Sequence, residues 1–325
     1  MELSENNDIE KQISDLYEKF LSRKPATSEI DYWKNQISLG QVKLEEITSK
    51  IEGSKEAYLL KIKNSKILSE DKNFTLAILD NHKFYLYPHD TVSIDNYTNS
   101  DSYDAGTTTL LKKLLKKGMN VINIGANIGY FALLAARQVG PEGKIFAFEP
   151  FEDTVKLLKK NIEANQYRNI EAIPMAVSNK TGMANLSTGG SSLHNLISFK
   201  EIKVMKEVTV PVTTIDDFLE KKQIRIDFII IDAEGSEQFI LEGMKKTLEK
   251  NDSLEIVVEF NPFTLELAGT NAESFLNTIE SYKFSTFIID ENNNEIKLID
   301  KSKLIKEIIP PKITNFYLTR KTHTS

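Results

Sequence analysis

The chain has 325 residues, 40% of them hydrophobic and 27% charged, a balance that is typical of folded globular proteins and excludes wholesale disorder. It contains no cysteine, which excludes disulfide scaffolds, thiolate zinc sites, iron–sulfur clusters and cysteine nucleophiles. The net charge is −6, whereas nucleic-acid-binding proteins are usually basic, so we expect no nucleic-acid partner.

The first part of the chain, residues 1–70, has the pattern of a small helical bundle. Apolar residues recur at helical spacing over residues 9–21, and Pro25 ends this first helix. Thr27 or Ser28 is expected to cap a second helix, and a third helix follows. The pattern therefore predicts a three-helix module.

Two sequence blocks in this region, LYEKFLSRKPATSEIDYWKNQISLGQ and EGSKEAY, resemble a small helical domain of unknown function found in bacterial surface- and glycan-related proteins. We therefore expect two domains, with residues 1–70 forming the helical module and residues 71–325 the second domain. If the chain has a protein partner, we expect this helical module to bind it.

Beyond the helical module, apolar runs alternate with helical segments. A hairpin is predicted around Asp80 and Asn81. The later strands are predicted at 121–124, 145–148, 170–173, 228–231, 254–258, 284–289 and 316–318. The helices between them are predicted at 106–117, 128–138, 152–165, 236–248 and 273–281. Apolar strands that alternate with helices indicate an α/β fold with a doubly wound, mostly parallel sheet.

The loop after the first of these strands, NIGANIGYF at 123–131, has the features of a ligand-binding turn. Gly125 lets the backbone approach a ligand, and Gly129 permits close packing of helix on strand, although a plain tight turn would also use these glycines. The three-glycine dinucleotide fingerprint and the Gly-Lys-Ser/Thr ending of a P-loop are both missing. The loop therefore indicates a ligand without a pyrophosphate, which weakens the alternative of a nicotinamide oxidoreductase.

An acidic residue, Glu149, ends the second strand of the succession. It follows the glycines by about 20 residues, the spacing at which a carboxylate accepts the hydroxyls of a ribose. Pro150 stops the strand and directs the carboxylate into the crevice. Glu149 alone could be a helix cap, but together with the glycine loop it favours nucleoside binding.

Two carboxylates follow a further apolar strand in DFIIIDAEG at 227–235. Burial of Asp232 and Glu234 without a function would raise their pKa values and cost stability, although they could also complement the dipole of the next helix. If this site catalyses a reaction that needs a general base, the candidates are Asp232, Glu234, Glu259 and His194. Asp232 is the best placed, at the mouth of the strand.

Four separated blocks resemble the FkbM family of S-adenosylmethionine-dependent methyltransferases in the family's order. They are VINIGANIGYFALLAA, IFAFEPFEDTVKLLKKNIEAN, IEAIPMAVSNKTGMANL and IDFIIIDAEGSEQFILEGM. The resemblance implies a class I methyltransferase (Rossmann-like) fold, with a seven-stranded sheet whose last strand is antiparallel. It also implies S-adenosylmethionine as cofactor and O-methylation of a sugar, a glycan or a polyketide-type acceptor.

The resemblance also assigns cofactor contacts by position. Glu149 would hold the ribose, Ala176 or Val177 would neighbour the adenine, and Asp232 would close the pocket or face the acceptor. The methionine end would be lined by the loop residues Gly125, Ala126, Asn127 and Gly129. The family usually has Asp where this chain has Asn123, and the amide lacks a charge opposite the cofactor's α-ammonium, a loss of about 1 kcal/mol or more.

Asn123 keeps a second interpretation open, in which the chain is a catalytically inactive methyltransferase-like binding module of a glycan-assembly complex. We predict no metal site, because no group of side chains has convincing ligand spacing, although magnesium dependence stays open. The start of the sequence has neither the charge nor the apolar run of a signal peptide, and no run is long enough for a membrane span. We therefore expect a cytoplasmic protein.

Overall fold

The structure, a computed structural model, describes residues 2–52, 67–70, 74–88, 90, 93, 94, 97, 102–189, 193–195, 206–291, 293–299 and 313–321. The chain divides into two compact units, Met1–Ile67 and Leu68–Ser325. No helix within the described residues is both long enough and apolar enough to cross a bilayer.

The first unit contains three helices, α1 (Glu2–Leu21), α2 (Thr27–Ser38) and α3 (Leu44–Glu52). Their buried residues form one apolar cluster, in which the indole N–H of Trp33 donates a hydrogen bond of 3.0 Å to the hydroxyl of Tyr17. The predicted cap at Thr27 or Ser28 is wrong. The N-cap is Ala26, which has no side-chain acceptor; its own N–H donates to the Glu29 carboxylate at 2.7 Å, which is the glutamate half of a capping box.

The second unit contains three sheets. Its strands are β1 (Ile67–Glu70), β2 (Thr75–Leu79), β3 (His82–Leu86), β4 (Asn120–Ile124), β5 (Lys144–Phe148), β6 (Ile170–Ile173), β7 (Ala176–Val177), β8 (Gly182–Gly189), β9 (Leu193–Asn195), β10 (Lys206–Thr213), β11 (Phe228–Ile231), β12 (Glu255–Phe260), β13 (Ser285–Asp290), β14 (Glu295–Leu298) and β15 (Thr314–Thr319). Strand β2 pairs antiparallel with β3 through Asp80 and Asn81, both at positive φ, which confirms the predicted hairpin.

The helices of the second unit lie between these strands. They are α4 (Ala105–Leu114), α5 (Tyr130–Val139), α6 (Glu152–Ala164), α7 (Ile215–Lys222), α8 (Glu237–Glu242), α9 (Lys245–Lys250), α10 (Pro262–Leu267) and α11 (Ala272–Ser281). The single helix predicted at 236–248 is wrong, because it is two short helices that separate at Gly243 and Met244. A β-carbon on Gly243 would overlap the carbonyl oxygen of Ser178, so this position packs backbone against backbone.

The large sheet confirms the predicted fold class. Its order is β14-β13-β15-β12-β11-β4-β5-β6, and the five strands from β12 to β6 are parallel to one another. The last strand, β15, is antiparallel to both β12 and β13, as predicted. The sheet has eight strands instead of seven, because β14 adds to the edge as a hairpin partner of β13.

The chain crosses from one side of this sheet to the other between β4 and β11. From β4 it continues outward to β5 and β6, and it later returns to place β11 and β12 on the opposite side of β4. Such a reversal opens a crevice at the carboxyl ends of the central strands. The polar segment that precedes this return also forms a smaller sheet, in the order β7-β10-β8-β9, which the sequence analysis did not predict.

Candidate functional site

A pocket of about 180 Å³ lies at the carboxyl ends of β4, β5 and β11. A single ordered water needs about 10–15 Å³ by the same measure, so the space is large enough for a small molecule. The pocket combines residues from both sides of the strand-order reversal. Those that the sequence analysis predicted are Gly125, Ala126, Asn127, Glu149, Pro150, Ala176, Val177, Asp232 and Glu234.

The glycine loop between β4 and α5 is fixed by backbone contacts. The N–H groups of Gly125 and Ala126 both donate to the carbonyl oxygen of Phe148, at 3.0 and 2.8 Å. Gly125 has φ +74°, and a β-carbon there would overlap the carbonyl oxygen of Asp232. The end of β4 thus packs directly against the end of β11, and only glycine fits.

Glu149 is a structural partner of this loop as well as a pocket residue. Its two carboxylate oxygens accept backbone N–H bonds from Asn127 and from Phe151, each at 3.0 Å. Asn127 is held in a left-handed conformation with φ +49°. Burial raises the pKa of Glu149 to about 7, while the two backbone hydrogen bonds oppose that rise. Each oxygen keeps a further lone pair for a ligand.

The turn after β11 carries two acids into the pocket and is held by a third. The N–H of Asp232 donates to the carbonyl of Ile124 at 3.0 Å, which joins β11 to β4. Glu234 adopts a left-handed φ of +50°, a strained conformation for a residue with a side chain. Glu237 braces the turn: its Oε1 accepts the N–H groups of Ala233 (3.0 Å) and Gly235 (3.2 Å).

The carboxylates at this edge disfavour one another's charged forms. Burial first, and then the charges of Glu234, Asp104 and Glu149, raise the pKa of Asp232 to about 8. Burial and the charge of Glu237 raise the pKa of Glu234 to about 7. Burial and the charge of Asp232 likewise raise the pKa of Glu259 well above its usual range. Asp232 and Glu234 can therefore hold or release a proton near neutral pH.

Aromatic residues that the sequence analysis missed form another part of the pocket lining. This aromatic wall consists of Tyr97, Tyr103, Tyr130 and Phe131. The Tyr103 ring lies 5.5 Å from that of Tyr130 and 5.9 Å from that of Phe131, between centroids. The hydroxyl of Thr108 donates to the carbonyl of Tyr103 at 2.6 Å, and the hydroxyl of Tyr130 accepts the N–H of Tyr103 at 3.3 Å.

Other pocket residues were also missed, namely Ser93, Met175 and Leu186. Their sequence surroundings give no sign of a site, because isolated serines and apolar residues occur throughout the chain. Tyr130 alone had a signal, since it directly follows the second glycine of the loop.

Four predicted residues, Asn123, Gly129, His194 and Glu259, do not line the pocket as the structure describes it. Asn123 is 1% exposed within β4, and neither its amide nitrogen nor its oxygen has a hydrogen-bond partner there. Gly129 lies at the start of α5, and a β-carbon on it would contact the side chain of Leu158, which supports its packing role. His194 pairs with Thr188 in the edge strand β9, and its side chain lies outside the described part of the chain.

No metal site is apparent in the described residues. Among them, no three His, Asp or Glu side chains are arranged so that they could hold a metal ion together.

Glu259, at the carboxyl end of β12, is near enough to Asp232 for their charges to interact but is not among the residues that line the pocket.

Two family models match the chain. Residues 123–286, about half of the chain, match the methyltransferase FkbM domain, and residues 2–60 match a domain of unknown function (DUF4214). The second match confirms that the N-terminal sequence is similar to a domain of unknown function.

Curated relatives match over short stretches. A protein-L-isoaspartate O-methyltransferase from Methanothrix thermoacetophila is 36% identical over 59 residues, which is 18% of this chain and 28% of that protein. Protein-L-isoaspartate O-methyltransferase 1 from Arabidopsis thaliana is 41% identical over 56 residues, 17% of this chain and 24% of that protein. The matched stretches thus span about a quarter of the length of these relatives.

Solved structures with low sequence identity align over larger parts of the chain. A precorrin-6y C5,15-methyltransferase from Geobacter metallireducens is 11% identical, with a TM-score of 0.40, over 68% of this chain and 90% of that one. Fibrillarin from Aeropyrum pernix with natively bound S-adenosyl-L-methionine is 12% identical, with a TM-score of 0.37, over 66% and 73% of the two chains.

Proposed function

The chain belongs to the FkbM methyltransferase family, and we propose that it transfers a methyl group from S-adenosylmethionine to a hydroxyl of a sugar, a glycan or a related secondary metabolite. Family membership confirms S-adenosylmethionine as the cofactor. The observation that carries the proposal is the joining of Gly125, Glu149 and Asp232 in one pocket at the strand-order reversal.

The pocket residues fit this cofactor. Gly125 leaves no room for a side chain, so ligand atoms can approach its backbone. Glu149 has free lone pairs for the ribose hydroxyls, and Ala176 and Val177 offer small apolar surfaces for the adenine. The acidic lining also suits a ligand that carries a positive sulfur. We therefore assign Gly125, Ala126, Asn127, Glu149, Pro150, Ala176 and Val177 to cofactor binding.

When bound, the cofactor supplies a methyl group on a cationic sulfur that departs as a neutral thioether. The protein must hold the acceptor oxygen in line with that methyl and remove its proton. Asp232 is our proposed general base, because it lines the pocket and because burial and neighbouring acids raise its pKa to about 8. The acceptor oxygen keeps the electron pair for the new O–C bond while the carboxylate takes the proton.

One further observation supports an oxygen acceptor. The curated relatives that match the chain are themselves O-methyltransferases, over short stretches. The N-terminal helical unit gives the chain a second folded body, which we propose as an attachment to a protein partner.

The alternative function is an inactive methyltransferase-like binding module, and one observation favours it. Asn123 replaces the family's usual acid, and both of its polar atoms lack partners in the described structure. The retention of Glu149 and Asp232 in the pocket favours an enzyme instead.

Cofactor binding and methyl transfer separate these functions. Calorimetric titration with S-adenosylmethionine, and in parallel with NAD, tests the pocket itself. Incubation with methyl-labelled cofactor and extracted cell-envelope glycans then tests the chemistry. Binding with label transfer supports the enzyme, binding without transfer supports the inactive module, and absence of S-adenosylmethionine binding would overturn both.

A further inference from the structure

Asn161, on helix α6, is a fully buried residue whose side-chain amide joins three parts of the fold. Its Oδ1 accepts the backbone N–H of Tyr85 in β3 at 2.7 Å. Its Nδ2 donates to the carbonyl oxygen of Ile128 at 2.9 Å and to that of Tyr85 at 3.3 Å. The amide must have this orientation, because the reverse one would place its oxygen against two carbonyls. The side chain therefore links α6 both to β3 and to the glycine loop.

Asn165, at the end of the same helix, makes the same pair of bonds to the strand. Its Oδ1 accepts the N–H of Lys83 at 2.9 Å, and its Nδ2 donates to the carbonyl of Lys83 at 2.7 Å. Together the two amides bond to the edge of β3 as a neighbouring strand would. In the described structure, only Asn161 of this pair also bonds to Ile128. Its third bond is therefore not needed to dock β3.

Ile128 lies in the part of the glycine loop whose backbone is least favourable. It is flanked by Asn127 with φ +49° and Gly129 with φ +105°. Such conformations persist only where the surroundings hold them. Glu149 holds the loop from the β5 side by accepting the N–H of Asn127. Asn161 holds the peptide between Ile128 and Gly129 from the α6 side, so the loop is fixed from two directions.

The strand that Asn161 docks also supports the aromatic wall. The ring of Phe84 in β3 is stacked with that of Tyr130, with centroids 6.0 Å apart, and meets the edge of the Tyr97 ring at 4.9 Å. Both tyrosines line the pocket, whereas Asn161 is not among the lining residues. Any effect of Asn161 on a ligand must therefore act through the residues that it holds.

We propose that Asn161 is a positioning residue of the cofactor site, which presets the glycine loop in its binding shape by holding the carbonyl of Ile128. The inference rests on the proposed assignment of this loop to the cofactor, and it adds a residue that lies behind the pocket. Without the bond, S-adenosylmethionine would have to order the loop as it binds, and that cost would lower its affinity.

Asn161→Ser and Asn165→Ser are a matched pair, because both replace an amide by a short uncharged side chain. Calorimetric titration of the full chain with S-adenosylmethionine compares them. We expect Asn161→Ser to weaken binding about tenfold and Asn165→Ser to change it less than about twofold, since only the first loses a bond to the loop. Equal effects of the two substitutions, or an unchanged affinity in Asn161→Ser, overturn the proposal. Absence of binding by the unsubstituted chain contradicts the proposed cofactor site instead, so the two failures are distinct.

The pH profile of Asn161→Asp separates positioning from a general loss of stability. A protonated carboxyl has an oxygen for the N–H of Tyr85 and a hydroxyl donor for the carbonyl of Ile128, whereas an ionised one has no donor. Because burial raises the pKa of the introduced carboxyl, affinity should recover towards that of the unsubstituted chain as the pH falls from about 8 to about 5.5. No recovery overturns the proposal. If this variant does not fold at pH 8, the serine pair decides alone.

Comparison with the unsubstituted chain at each pH cancels the titration of the neighbouring groups that both proteins share. These groups are His82, Tyr85, Tyr130, Glu149 and Lys160.

Hydrogen exchange of the ligand-free proteins then locates the effect. The peptide over residues 123–131 should exchange faster in Asn161→Ser than in the unsubstituted chain or in Asn165→Ser. A peptide over β11 is the reference for global opening, and the change in the loop peptide should exceed the change in this one. An equal change in both peptides would assign the loss to general destabilisation and overturn the positioning role.

Discussion

The α-carbon of Gly125 lies so close to the carbonyl oxygen of Asp232 that a β-carbon would overlap that oxygen. The contact joins the glycine loop after β4 to the acidic turn after β11. Because the N–H of Asp232 also donates to the carbonyl of Ile124, the loop that we assign to the cofactor and the proposed base are joined through their backbones. A displacement of either element is therefore transmitted to the other.

Gly125→Ala should destabilise the protein by about 3 kcal/mol or more and abolish cofactor binding. Alanine would pay the cost of a left-handed conformation, about 1–2 kcal/mol, and would also overlap a backbone atom that has no room to move. Gly118→Ala is the matched control, because Gly118 has a similar φ of +80° but no atom within 4 Å of the added carbon. Urea unfolding of both variants measures the difference, and equal losses would show that the contact with Asp232 costs nothing.

Asp232→Asn should lower turnover by about two orders of magnitude or more, because an amide cannot accept the acceptor's proton. In the unsubstituted enzyme the rate should rise with pH and level off above about 8, as the carboxyl loses its own proton. The assay is transfer of a labelled methyl group across pH 6–10. His194→Ala is the comparison: if it is inactive while Asp232→Asn turns over normally, the base lies in the β8–β9 hairpin.

Glu237→Gln should gain stability over the unsubstituted protein, and the gain should be larger at pH 8 than at pH 5. Burial raises the pKa of Glu237 from 4.5 to about 7, so between these values the folded protein holds a proton that the unfolded chain releases. The free energy of unfolding therefore falls as pH rises from about 4.5 to 7 and stays low above it, by about 3 kcal/mol in all. Glutamine removes this loss while its carbonyl still accepts the N–H groups of Ala233 and Gly235.

Thermal or urea unfolding at the two pH values tests the Glu237 prediction. Glu142→Gln, an exposed change of the same type, should show no pH-dependent difference from the unsubstituted chain. If Glu237→Gln changes stability equally at pH 5 and pH 8, the buried charge is not the cause.

The parallel strands of the large sheet and the main pocket residues could be predicted because their signals are local. Strand β11 consists of four large apolar residues in a row, and acids follow it immediately, so the position of Asp232 at a strand mouth was visible in the sequence. Glu149 was visible for the same reason. Both lie at the ends of strands whose burial on two faces gives an uninterrupted apolar run.

The rest depended on contacts between distant parts of the chain. Tyr97 and Tyr103 precede β4 in a segment without clear periodicity, and only the fold brings them to the pocket. The break at Gly243 coincides with a close backbone approach to Ser178, a contact that no local propensity encodes. The bracing of the acidic turn by Glu237 was missed because an acid in the first turn of a helix has an ordinary local explanation.

The final prediction concerns Glu149, whose carboxylate we assign to the ribose hydroxyls. Each charge-assisted hydrogen bond is worth about 1.5–3 kcal/mol, and water in the emptied space would recover part of that. Glu149→Ala should therefore weaken S-adenosylmethionine binding by about 30- to 150-fold, or about 2–3 kcal/mol. The alanine variant also leaves the N–H groups of Asn127 and Phe151 without their acceptor, so it should lose stability as well as affinity.

Glu149→Gln separates the ligand contact from the loop contact. The carbonyl oxygen of the glutamine can accept only one of the two backbone N–H groups. Its NH₂ group is a donor where the other N–H and the ribose hydroxyls need an acceptor. Cofactor affinity should therefore fall measurably, but by less than in the alanine variant. Burial raises the pKa of Glu149 to about 7, so cofactor affinity in the unsubstituted protein should also weaken as pH falls below 7 and the acceptor carboxylate is protonated. In Glu149→Gln that dependence should be lost. Calorimetric titration of all three proteins at pH 6 and pH 8 decides the assignment: equal affinities across the three would remove Glu149 from the ribose site, and a pH dependence that survives in Glu149→Gln would assign the titration to another acid of the pocket.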